Sequence, residues 1–84
     1  MAYDKKLNDL TTILEDYIKE IDYELITKPY STNMSLDENG AFVTLPEHQV
    51  FATARNKDGL IVSLSIIPSK NAIFIEDKLV RNLD

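Results

Sequence analysis

The stretch Thr27-Lys28-Pro29 divides two hydrophobic periods in this 84-residue chain. On its N-terminal side Tyr3, Leu7, Leu10, Leu14, Tyr17 and Ile21 recur at steps of four and three, which stacks them along one side of a helix. Ile18 and Leu25 fall in the same arc, and Ile13 and Ile26 widen its edge. Beyond Pro29 the apolar residues alternate, and two turn signals, Asp37-Glu38-Asn39-Gly40 and Asn56-Lys57-Asp58-Gly59, separate the runs. Residues before a proline are pushed out of the α region, so Thr27-Lys28-Pro29 is read as a stop. The helix is then expected over about 4–27, with Asp4 capping its start and Glu15 pairing with Lys19 one turn on.

Strands are expected over about 30–37, 41–46, 49–56, 60–67 and 72–76. The fold class this implies is α+β, in a single domain over residues 1–84: an N-terminal amphipathic helix packed on one face of a four- to five-stranded antiparallel meander. Heptad spacing would also suit a coiled-coil dimer, but the stripe is broader than a strict seam, and a sheet uses that width.

Side-chain matching sets the hairpin registers. A two-residue Asn39-Gly40 loop pairs Leu36 with Val43 and Met34 with Leu45, and is preferred to a type I turn with a bulge at Gly40, which pairs Leu36 with Phe42 and Met34 with Thr44. For the second hairpin a two-residue loop would bury Arg55 against a valine. A type I turn on Asn56 to Gly59 instead pairs Ala54 with Val62, Ala52 with Leu64 and Val50 with Ile66, and the small alanines leave room for the helix. Pro68-Ser69-Lys70-Asn71 reads as a turn, and Ile73 and Ile75 as continuing the face of Leu64 and Ile66. The tail from Asp77 to Asp84 is read as one short helical turn, with Leu79, Val80 and Leu83 pointing inward.

The second sheet face is mixed, carrying Phe51, Ile61, Ile67 and Phe74 among Thr53, Ser63, Ser65 and Arg55. One helix covers one face, so these apolar groups need the tail, a second subunit or a ligand. An order of helix followed by hairpins around Leu36-Asp37-Glu38-Asn39-Gly40 resembles the first half of bacterial secretion chaperones, a likeness of element order that implies a dimeric binding protein.

The net charge of −5 is unevenly placed. Residues 1–26 hold seven acids against three bases, whereas residues 48–84 hold five bases against four acids. Such an acidic surface repels phosphate backbones, so nucleic-acid binding is disfavoured. The chain lacks cysteine, which removes disulfides, thiolate zinc sites and a cysteine nucleophile, and suits the cytoplasm. Met1-Ala2-Tyr3-Asp4-Lys5-Lys6 leads into charged helix, so neither signal peptide nor membrane span is expected.

Catalytic signals are weak. His48, the one histidine, sits between Glu47 and Gln49 after Pro46, where a loop is expected and no nucleophile motif accompanies it. The acids at Asp37-Glu38 and Glu76-Asp77 read as solubilising turn charge, and Asp37-Glu38-Asn39-Gly40 lacks the alternating ligands of a calcium loop. With Gly40 and Gly59 both taken by turns, no phosphate-cradling loop is left. No enzyme activity, metal or cofactor is therefore expected. The expectation is a small acidic protein-binding module, an inhibitor or regulator and a homodimer, whose partner is another protein with a basic surface. It would act through an acidic helix face (Asp9, Asp16, Glu20, Asp22, Glu24) or the mixed sheet face (Phe51, Arg55, Ile61, Ile67, Phe74). The alternative is a small-ligand or RNA-binding domain using that sheet face.

Overall fold

The computed structural model describes the backbone of residues 2–83 and the side chains of Leu7 and residues 9–83. The expected roles of Tyr3 and Asp4 lie outside the described side chains. Helix α1 spans Ala2–Glu20 and turns Leu7, Leu10, Leu14, Tyr17 and Ile18 into the core. Glu15 and Lys19 form the expected pair, with 3.5 Å between Oε2 and Nζ.

The helix ends well before Pro29. Asp22 takes a left-handed φ of 63°, the Asp22 N–H donates to the Lys19 carbonyl at 3.0 Å, and the Tyr23 N–H donates to that of Ile18 at 3.1 Å. This is a Schellman cap with Asp22, two residues past Glu20, as its left-handed residue, and Tyr23 and Ile21 pack against the core beside it. Residues 21–27 fit both periods: Ile21 and Leu25 are four apart, yet Ile21, Tyr23 and Leu25 also alternate with the exposed Asp22, Glu24 and Ile26. Pairing with a neighbouring strand selects the second, and the helix expected to 27 gives way to a strand.

That strand, β1, runs Glu24–Leu36, followed by β2 (Phe42–Arg55), β3 (Ile61–Ile67), β4 (Ala72–Ile75) and β5 (Lys78–Asn82). They form one antiparallel sheet in the order β1-β2-β3-β4-β5, the expected meander with five strands. Pro29 lies inside β1, an edge strand, where a missing N–H is tolerated; the register slips on both sides of Thr27, so the proline sits in a bulge. The two strands expected at 41–46 and 49–56 are one strand with a wide bulge. Thr44 pairs with Met34 and Gln49 with Thr32, leaving Leu45 to His48 opposite Asn33 alone. His48 is thus a half-buried strand residue and not part of a loop.

Both long hairpins close the same way. The Gly40 N–H donates to the Asp37 carbonyl and the Gly59 N–H to that of Asn56, both at 3.0 Å, with left-handed φ of 81° and 84° at the glycines. In each, the first residue's side-chain oxygen accepts two backbone N–H groups at 2.9 Å: Asn39 and Ala41 on Asp37, Asp58 and Leu60 on Asn56. The second hairpin has the expected register, Ala54 with Val62, Ala52 with Leu64 and Val50 with Ile66. The first has the disfavoured one, Leu36 with Phe42 and Met34 with Thr44. Two hydrogen bonds to the Asp37 carboxylate outweigh the better apolar match of the shorter loop.

Val50, Ala52, Ala54, Leu64, Ile66 and Ile73 meet the helix stripe in the core, and Ile66 pairs with Ile73 and Leu64 with Ile75, so that Ile73 and Ile75 continue that face as expected. Among the described residues, no helical turn forms after Ile75. Glu76, at a φ of 51°, turns the chain back as β5, leaving Leu79 and Val80 exposed, while Leu83 alone of the three packs against the core. Arg81 fastens this strand to the helix, its Nη1 2.6 Å from Glu20 Oε2 and its guanidinium 4.7 Å from the Tyr17 ring centre.

Candidate functional site

The five acids of the expected helix face lie on α1, in the turn that follows it and on β1. Asp9 and Asp16 are exposed on α1, whereas Glu20 is paired with Arg81, Asp22 forms the helix cap, and Glu24 lies on β1 with its Oε1 3.7 Å from Arg55 Nε. Asp16 and Glu20 do share a shallow cleft with Ile13, Tyr17, Ile73, Arg81 and Leu83, at the seam between helix and β5. The cation in that cleft belongs to the protein itself.

The second sheet face is organised differently. Pairing places Tyr30 beside Phe51, ring centres 6.3 Å apart, and carries the row across Ser65 to Phe74 and Leu79. The bulges at Lys28-Pro29 and at Leu45 to His48 bend the β1–β2 hairpin. Residues of its far end and of the sheet share a groove. Met34, Leu36 and Phe42 from that end, with Tyr30, Phe51, Thr53 and Ser63 from the sheet, line one groove of about 450 Å³.

Among the described residues, no side chain of Asp, Glu, Lys, Arg or His lines this groove, in a chain where those first four types make up 27% of residues. Its rim is unusually open for apolar side chains. Phe42 is 75% exposed, Leu36 59%, Tyr30 50% and Met34 43%. Thr44 Oγ1 lies 3.7 Å from Met34 Sδ, which ties the two strands of the bent end together.

Of the expected sheet-face set, Phe51 forms the groove floor and Ile61, 59% exposed, flanks Ser63 at its end. Arg55 is held by Glu24 and donates from Nη1 to the Gly59 carbonyl at 3.2 Å. Ile67 and Phe74 belong to a neighbouring cleft of about 380 Å³, where Phe74 is buried with Lys70 Nζ 5.7 Å from its ring centre. The groove residues missed from sequence are Tyr30, Met34, Leu36 and Phe42. Their period-two spacing was visible; the bend that gathers them was not. Among the described residues, no three His, Cys, Asp or Glu side chains are grouped to hold a metal ion, and no helix is long and apolar enough to cross a membrane.

No protein-family model, curated protein or solved structure matches this chain.

Proposed function

We propose that this chain is a non-enzymatic protein-binding module whose site is the uncharged groove between the bent β1–β2 hairpin and the second sheet face. The carrying observation is Phe42, three-quarters exposed at the rim of a cavity whose described lining residues are all uncharged, in an acidic chain. Large aromatics beside a concave apolar floor are the anchors around which interface energy concentrates. The acidic helix face has weaker support, because Glu20 and Glu24 are engaged with Arg81 and Arg55. The lack of cysteine supports cytoplasmic action.

Selection from a random displayed-peptide library tests the reading. Apolar peptides are expected, with binding lost in Phe42→Glu and kept in Asp9→Lys/Asp16→Lys. Basic peptides that depend on Asp9 and Asp16 would return the site to the helix. A second reading, an uncharged small ligand, is favoured by the groove volume alone, which falls in the usual range for such sites.

A further inference from the structure

Resting on the groove reading above, we infer that the occupant of the groove is a second copy of this chain, docked by a two-fold axis that places Phe42 of each copy in the groove of the other. A two-fold interface must be self-complementary, since the same patch serves both partners. This face has both halves of such a fit. Phe42 and Leu36 stand exposed at the rim, and the cavity beside them, about 450 Å³, holds an aromatic side chain with room to spare.

Charge points the same way. Each copy carries −5, so two copies repel least where the facing residues are uncharged or paired with one another. The described residues that line the groove are uncharged, Arg55 and Glu24 beside Ile61 are paired with one another, and the acids Asp9 and Asp16 lie on the helix that covers the opposite side of the sheet. Groove-to-groove docking therefore leaves both helices outermost.

The area is also sufficient. Taking aromatic side chains at about 150 to 250 Å² and the aliphatic ones somewhat lower, the exposed fractions of Phe42, Leu36, Tyr30 and Met34, with Ile61 beside the groove, leave roughly 500 Å² of exposed surface per copy, most of it apolar. A specific interface of about 800 Å² per partner has about 450 to 520 Å² of it non-polar.

Sedimentation velocity across a concentration series, with binding of the neutral dye Nile red alongside, tests the inference. The expected result is a dimer whose dissociation constant rises at least about 30-fold in Phe42→Glu, with circular dichroism unchanged, while Leu79→Glu on the β5 edge leaves it intact. A dimer insensitive to Phe42→Glu overturns the inference. A monomer that binds the dye through Phe42 also overturns it but leaves the groove reading standing, and a monomer that binds no dye overturns both. Should Phe42→Glu unfold, Phe42→Cys mixed with Thr53→Cys serves instead. In a chain without cysteine, a disulfide joining the two variants requires the rim of one copy to sit in the other's groove, and its absence counts against the second copy.

Discussion

Replacing Asp22 by glycine and by alanine distinguishes a helix that ends at Glu20 from one that continues to Thr27. Both variants remove the same exposed carboxylate, so any interaction with the helix dipole cancels between them. At a left-handed φ of 63°, alanine incurs about 1 to 2 kcal/mol that glycine avoids. Glycine's extra freedom in the unfolded chain gives back about 0.4 to 1 kcal/mol, so glycine should be the more stable by about 1 kcal/mol. In a helix interior the order reverses, because alanine is favoured there by about 1 kcal/mol. A domain of this size shifts by about 4–8 °C per kcal/mol. Thermal unfolding followed by far-ultraviolet circular dichroism should place Asp22→Gly that far above Asp22→Ala. If the alanine variant melts higher, the cap is wrong and β1 starts later than Glu24.

Arg81→Ala removes an exposed ion pair and a cation–π contact, together worth about 1 kcal/mol, and since both anchor β5, amide exchange should quicken about fivefold over Lys78–Asn82 and little in α1. Uniform acceleration through the sheet would show instead that β5 opens only with the whole molecule. Leu14, fully buried between helix and sheet, should cost about 2 to 5 kcal/mol as alanine, against a total stability of about 4 to 13 kcal/mol for this length. The urea midpoint should fall by about 2 M or more, and a midpoint near that of the parent chain would refute the packing of α1 on this sheet.

The legible parts of the fold were those whose energetics are local. Leu7, Leu10, Leu14, Tyr17 and Ile18 share a face at helical spacing whatever they meet, and the second hairpin's register followed from its own residues, because the alternative buried Arg55. The first hairpin was misread by the same criterion, since apolar matching omitted the two N–H groups that Asp37 gathers. The site was only half legible. Of the residues that line the proposed groove, the sequence reading singles out Phe51, whereas Tyr30, Met34, Leu36 and Phe42 read as ordinary strand residues.

By itself the sequence determined an amphipathic helix, the order of the strands along a meander and the two glycine turns, all of which follow from side-chain periodicity and hydrogen bonds within a few residues. Tertiary structure decided where the helix stops, whether the tail after Ile75 coils or pairs, and which face becomes concave. Residues 21–27 satisfy two periods equally, and only the strand offered by Thr53, Ala54 and Arg55 resolves them. Likewise the bulges at Pro29 and at Leu45 to His48 acquire a direction only when their neighbours are paired, because a bend in one strand is set by the register of the next.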